Sequence, residues 1–381
     1  MFCEDAAAAN DSRAAATLKR IADRSGARII PLSEHRFAGA WRAAVSVLAR
    51  DGYPSELTMS SPLNVLVLSK PDAPHLKAMD PIRANANFTI SDDPAVVRSA
   101  APDADVILNA MFTGDLLRMA FPLATKVRWV HNLSAGVELV MFPELIRSPV
   151  PLTNGRGVFR RSLGEFVVAA ALYFAKDLRR MVRNQEAGVW QQFDVEELAG
   201  RTLGIIGYGE IGRAAAERAK PFGMRIAALR RRPEQGAGDP LVDAVYTRPQ
   251  LHDMLRECDY VAIAAPNTPE TRGMIGEKEF AVMKSNAVII NVGRGPVIVE
   301  TALIRALQDN QIRGAALDVF EEEPLPHGHP FYSLHNVLLS PHCADHTTGW
   351  IELAVDMFVR NFRLFEAGEK LENLVDKQAG Y

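Results

Sequence analysis

Cysteine is scarce. Three stand at Cys3, Cys258 and Cys343 in a chain of 381 residues. Their spacing fits neither a CxxC metal site nor a disulfide framework, so no metal is expected, and the reducing cytoplasm is the simplest setting. Long apolar runs are missing as well; none approaches the ~20 residues that a membrane span requires. Charge of one sign is not in excess: 43 Lys and Arg stand against 46 Asp and Glu, a formal net charge of −3. That balance gives no electrostatic reason to expect nucleic acid or an anionic membrane as partner, and it leaves room for a local basic site for a small anion. The first residues carry Glu4, Asp5 and Asp11 with no basic flank leading into an apolar stretch, which argues against a secretory signal or a transit peptide. No repeat of solenoid type occurs.

What is present is the composition of an ordinary globular protein, 48% hydrophobic and 23% charged, with length enough for two domains. Residues 1–60 are Ala- and Arg-rich, with helical periodicity over 17–24 and 37–50. They read as an N-terminal extension, either an appended helical arm or a partly ordered tail; docking in an oligomer is the alternative. From Asn64 onward strands and helices alternate. Strands are expected over 63–68, 105–110 and 126–131, and one long amphipathic helix over 163–181, with Phe166, Ala170, Tyr173 and Phe174 on one face. A second series starts at Thr202, with strands over 203–206, 225–229, 260–264, 288–291, 315–318 and 337–339 and a last helix over 350–366. This pattern predicts an α/β fold of two Rossmann-like or flavodoxin-like domains with parallel sheets and an interdomain cleft.

The first strand of the second series runs into Gly207-Tyr-Gly-Glu-Ile-Gly212, a G-x-G-x-x-G turn that opens a helix closed by Pro221 and Gly223. Gly207 permits the tight turn, Gly209 lets the backbone approach a pyrophosphate, and Gly212 allows close helix–strand packing. The N–H groups of the helix N-terminus face the phosphates. The next strand usually ends in an acidic residue that binds the ribose diol. Here that place, 18 residues past Gly212, holds Arg230, followed by Arg231 and Arg232. An arginine cannot accept the hydroxyl hydrogen bonds but pairs with a 2′-phosphate, which predicts preference for NADP(H), with NAD(H) as the other dinucleotide to test.

Three further segments carry chemistry: Asn291-Val-Gly-Arg-Gly295, Gly314 to Pro324 with its run of three glutamates, and Ser340-Pro-His342. Reducing a 2-keto acid needs a cation for the carboxylate and an acid for the carbonyl oxygen. Arg294 suits the first need, because its guanidinium is always charged and its fork matches a carboxylate. His342 suits the second, because its pKa lies nearest the working pH. In that order, with Ser134-Ala-Gly-Val137, Gly188-Val-Trp190, Glu197-Leu-Ala-Gly200 and Pro269-Glu-Thr271, these segments resemble the signature series of the D-isomer-specific 2-hydroxyacid dehydrogenases, from about residue 64 to 381.

The resemblance implies Arg294, Glu323 and His342 as catalytic residues. Glu323, chosen because it directly precedes Pro324, would pair with His342 and raise its pKa. The resemblance further implies cofactor contacts at Glu210, Ile211, Pro266, Thr271, Val292, Gly293 and Asp318, the last toward the nicotinamide carboxamide. Substrate carboxylate binding falls to the backbone N–H groups of Ala135 and Gly136, beside Arg294. Cys343 is read as a small packing residue, not a nucleophile. Members that act on phosphorylated hydroxy acids carry arginines where this chain has Met111 and Phe112, and an apolar wall cannot satisfy a phosphate dianion. Formate dehydrogenases use glutamine where Glu323 stands. The 39 residues after His342 are too few for an added regulatory domain. A small unphosphorylated 2-keto acid such as glyoxylate or hydroxypyruvate is therefore the expected substrate. A phosphoglycerate dehydrogenase-like enzyme and a non-catalytic, dinucleotide-sensing scaffold stay open as alternatives. The expected organisation is a substrate domain of 61–162 with 346–381 and a dinucleotide-binding domain of 163–345, in a homodimer.

Overall fold

The computed structural model describes residues 62–234 and 238–381; the helical stretches expected at 17–24 and 37–50 lie outside them. Two all-parallel sheets organise the chain. The first holds β1 (Leu63–Leu68), β2 (Ala86–Ser91), β3 (Val106–Asn109), β4 (Trp129–Asn132) and β5 (Leu152–Asn154), in the flavodoxin-like order β2-β1-β3-β4-β5. The second holds β6 (Thr202–Ile206), β7 (Arg225–Leu229), β8 (Ala244–Tyr246), β9 (Tyr260–Ile263), β10 (Val288–Asn291), β11 (Gly314–Leu317) and β12 (Val337–Leu339), in the order β12-β11-β10-β9-β6-β7-β8. That is the doubly wound dinucleotide-binding order with one strand added. Its switch point lies between β6 and β9, where ligands bind outside the carboxyl ends of the strands.

Central strands such as β6 and β10 are buried along their whole length. Helices cover both faces of a parallel sheet, so these strands read as unbroken apolar runs rather than alternating ones. Three strands went unread in the sequence: β2, β5 and β8. All three are edge strands, and β2 (ANFTIS) and β8 (AVY) are half-exposed, so the apolar signal is diluted.

The long helix expected over 163–181 is two helices, Arg160–Ala175 and Leu178–Glu186. Asp177 breaks it, with φ 48° and ψ 49°, and its side chain accepts from the Arg180 N–H as the cap of the second helix. The apolar face of the first continues on buried Leu163, Val167, Ala170, Ala171 and Phe174, whereas the second buries nothing. Periodicity persisted through the break, but the backbone did not. Gly164 lets this helix pack closely on Glu210–Ala219: a Cβ there would stand 2.8 Å from the Ala214 carbonyl. The helix that opens after the glycine turn is thereby fixed to the body of the fold.

The C-terminal segment returns to the first sheet. Phe358, on the helix Trp350–Glu366, stacks on Trp129 of β4 at 5.3 Å between ring centroids. Val375 donates to the Leu152 carbonyl of β5 at 2.8 Å. Trp129 and Phe358 are fully buried, and burying each aromatic side chain contributes about 1.5–3 kcal/mol.

Candidate active site

Every predicted functional residue of the second sheet follows the carboxyl end of a strand. Gly207 follows β6, Arg230 β7, Pro266 β9, Arg294 β10, Asp318 β11 and His342 β12. Met111 and Phe112 follow β3 of the first sheet in the same way, and Ala135 and Gly136 follow β4.

The dinucleotide turn leaves room for a ligand. Gly207 has φ 89°, and a Cβ on it would stand 2.6 Å from the Ala265 nitrogen. A Cβ at Gly212 would stand 2.6 Å from the Gly207 carbonyl oxygen, but around Gly209 nothing lies within 4 Å. Packing demands glycine at Gly207 and Gly212, while Gly209 faces open space, where a pyrophosphate over the helix N-terminus would lie. Glu210 and Ile211 open the helix, and Glu210 Oε2 accepts from Arg160 Nη1 at 2.8 Å. Arg230 lies over the ring of Tyr208 at 4.3 Å. Arg231 pairs with Glu270 at 3.7 Å and sits 5.1 Å from the Tyr381 ring centroid. Thr271 closes the loop after β9, its hydroxyl donating to the Pro266 carbonyl at 2.5 Å and accepting from the Thr268 N–H at 2.8 Å. Val292 is buried, and Gly293 is pinned by the Asn291 side chain, which accepts its N–H at 3.1 Å. The residues present fit a dinucleotide.

His342 Nδ1 lies 2.6 Å from Glu323 Oε2, while Glu323 Oε1 accepts the Phe320 N–H at 2.9 Å. The hydrogen bond to Glu323 raises the His342 pKa above its ordinary value; burial opposes this and the charge of Arg294 lowers it. Burial pushes the Glu323 carboxyl up, but the bonds from His342 and Phe320 outweigh it and hold it below the usual range. With Nδ1 committed to Glu323, Nε2 is the nitrogen left to face a substrate. His342 has φ 51°, rare for a residue with a side chain. Asp318, itself buried, holds that turn: Oδ1 accepts from Ser340 Oγ at 2.5 Å and from the Cys343 and Ala344 N–H groups at 3.0 Å, and its carbonyl accepts the His342 N–H at 2.9 Å. One oxygen of Asp318 therefore builds the histidine turn; among the described residues, Oδ2 accepts no bond. Cys343 is exposed, which corrects its reading as a packing residue: its N–H is held by Asp318, and its Sγ lies 3.6 Å from Ser340 Oγ across the same turn.

The loop after β4 is shaped by buried asparagines. Asn132 Nδ2 donates to the Ser134 carbonyl at 3.2 Å and to the Gly136 carbonyl at 2.8 Å, and Asn154 Nδ2 donates to the Ala135 carbonyl at 2.6 Å. In a trans peptide the N–H points opposite the C=O. Fixing the carbonyls of Ser134 and Ala135 inward therefore turns the N–H groups of Ala135 and Gly136 outward. Among the described residues these two amides have no acceptor, which leaves both N–H groups available.

Arg294 reaches the same loop from the other sheet. Its Nε donates to Glu138 Oε1 at 2.9 Å, and its Nη1 donates to the Gly293 carbonyl at 2.7 Å. Glu138 went unread in the sequence, although it directly follows the Ser134 to Val137 motif. Asp345, whose carboxyl is pushed up by burial, is a second acidic group near His342 that was not anticipated. The Phe112 ring lies tilted by 41° against Trp350, with centroids 5.4 Å apart, and Trp350 lies flat on His346 at 4.3 Å. Met111 is partly buried against the apolar cluster around Leu66, Ile107 and Val130 of the first sheet.

A glycine cradle for a dinucleotide and a histidine–carboxylate pair, on the carboxyl edge of a doubly wound sheet, define a nicotinamide-dependent oxidoreductase. Residues 168–344 match the family model of the D-isomer specific 2-hydroxyacid dehydrogenase NAD-binding domain. A glyoxylate reductase of Thermococcus gammatolerans is 36% identical over 267 residues, 68% of this chain and 79% of that protein; one of Aeropyrum pernix is 35% identical over 292 residues, 74% and 85%. Among solved structures, a D-isomer specific 2-hydroxyacid dehydrogenase of Xanthobacter autotrophicus in complex with NADPH and MES is similar at TM-score 0.72 and 29% identity, over 84% of this chain and all of that one. An NADPH-dependent glyoxylate/hydroxypyruvate reductase of Sinorhizobium meliloti in complex with NADP and sulfate is similar at TM-score 0.73 and 27% identity, again over 84% and all. The chain belongs to the D-isomer-specific 2-hydroxyacid dehydrogenases, enzymes that move a hydride between a nicotinamide dinucleotide and a 2-keto or 2-hydroxy acid.

Proposed function

We propose that this enzyme reduces a small unphosphorylated 2-keto acid, glyoxylate or hydroxypyruvate, with NADPH. The observation that carries the reading is the set of anion and proton donors brought together at the carboxyl edges: outward amides at Ala135 and Gly136, the Arg294 guanidinium beside them, and His342 held by Glu323. Arg294 and the two amides hold the carboxylate, and Arg294 also polarises the keto oxygen. When bound, the reduced dinucleotide supplies a hydride to C2. His342, as imidazolium, gives the Nε2 proton to the oxygen, and Glu323 stabilises the charged ring before that transfer and fixes its orientation. Asp318 keeps the histidine turn in its left-handed conformation.

NADPH preference rests on Arg230 at the end of β7, where a carboxylate would favour the free ribose diol. Met111 and Phe112 offer no charged partner for a phosphate dianion, which favours an unphosphorylated substrate. The return of residues 373–375 to β5 favours a discontinuous substrate domain of 61–162 with 346–381 beside a dinucleotide domain of 163–345. A cytoplasmic homodimer belongs to the same proposal. Among the described residues no helix is long and apolar enough to cross a membrane.

The test is a screen of purified protein against a keto-acid panel with both dinucleotides. Reduction of glyoxylate or hydroxypyruvate with kcat/KM higher for NADPH than for NADH is expected. Dinucleotide binding without turnover across the panel would replace the enzyme by a sensing scaffold.

A further inference from the structure

Glu138 has no place in the reduction as written above, yet it makes the principal side-chain contact of Arg294. Its Oε1 accepts from Arg294 Nε at 2.9 Å and its Oε2 from Nη2 at 3.4 Å. Both residues are about one-third exposed, Arg294 at 31% and Glu138 at 34%, so the pair stands at the wall of the site, not in the core. Gly136 makes room for it: a Cβ there would overlap Arg294 Nη2 and stand 2.8 Å from Glu138 Oε2.

A guanidinium has five N–H bonds in a fixed plane. Glu138 takes the side of the fork formed by Nε and Nη2. The Gly293 carbonyl takes one hydrogen of Nη1. The two hydrogens that remain, one on Nη1 and one on Nη2, form the end of the fork, which suits the bidentate reception of a carboxylate or a carbonyl oxygen. From this division we infer that Glu138 is a positioning residue, which clamps the side of the Arg294 guanidinium so that its end faces the substrate. The inference rests on Arg294 having the role proposed above. Glu138 also offsets the charge of Arg294 toward His342, whose surroundings are Glu323, Asp318, Asp345 and Arg294 itself. Arg294 alone among these lowers the histidine pKa by its charge, so an uncompensated Arg294 lowers it further.

The test uses steady-state reduction of glyoxylate by NADPH across pH, with wild type, Glu138→Ala and the isosteric Glu138→Gln. For Glu138→Ala the expected loss in kcat is on the order of 10- to 100-fold, as for a displaced reacting group. Glu138→Gln keeps one oxygen acceptor for Nε and recovers part of that loss. In both variants the alkaline limb of the rate profile moves to lower pH. Three results would overturn the inference: wild-type kcat and limb in both variants, an equal loss at every pH with the limb unmoved, or a lower KM with higher kcat/KM. The last would make Glu138 a competitor for the carboxylate site. Wild-type turnover with unaffected variants refutes the clamp alone; absence of wild-type turnover on any keto acid refutes the clamp together with the proposed function.

Discussion

The two sheets contribute to the site in different ways. The second sheet offers glycines and charged or titratable side chains at successive strand ends, with Arg230, Arg294 and His342 in the proposed roles. Apart from the Glu138 side chain, the first sheet offers backbone. Its two outward amides at Ala135 and Gly136 owe their direction to Asn132 and Asn154, both buried. Charged groups are strong and replaceable one by one; oriented amides are weaker, and cannot be removed by mutation except through what holds them. Substitutions of those charged groups are therefore expected to be severe and chemically specific, and substitutions of the asparagines that aim the first sheet's amides graded and directed at substrate binding.

The largest effect should come from His342→Ala, which removes the proton donor and lowers kcat on the order of 10²–10⁴-fold with dinucleotide binding, followed by nucleotide fluorescence, unchanged. Near-normal turnover would take the histidine out of the chemistry. Next, Arg230→Asp exchanges a partner of the 2′-phosphate for an acceptor of the ribose diol. The ratio of kcat/KM for NADPH over NADH should fall about ten- to a hundredfold, the worth of a charge-assisted hydrogen bond, and cross below one. On the first sheet, Asn154→Ala frees the Ala135 carbonyl and should raise KM for glyoxylate about tenfold or less while kcat changes little. A collapse of kcat there would erase the contrast between the sheets.

The smallest and most diagnostic effect concerns pH. The His342 pKa is raised mainly by Glu323. The imidazolium, and with it reduction, is present below that raised value and is lost as pH rises through it. Glu323→Gln removes the raising charge, so the alkaline limb should move to lower pH, with the acid-side rate less affected. A limb that stays in place would assign it to another group.

Much of the second sheet was legible because its function coincides with local sequence. The G-x-G-x-x-G turn, the strand that ends at Arg230 and the catalytic segments each lie within a few residues. The first sheet was legible only in its buried centre. Of its edge strands, β2 is half-exposed and polar at every second position and β5 is three residues long, and the break at Asp177 hides in a helix whose periodicity continues on either side. The site showed the same division. Arg294, Glu323 and His342 stood out by residue type and motif; Glu138 did not, because an acidic residue at the end of a loop reads as solvated until its partner is known. That partner is 156 residues away in sequence.

The sequence by itself determined the alternation of strands and helices, the glycine turn, the absence of a carboxylate at Arg230 and the identity of the groups able to carry charge and protons. These are properties of neighbouring residues and of side-chain chemistry. Tertiary structure alone decided that Asp318 spends an oxygen on the His342 turn, that buried asparagines turn two amides outward, and that Glu138 meets one side of Arg294. Each depends on which strand ends lie beside one another, and hydrogen-bond direction is fixed only once the strands are packed.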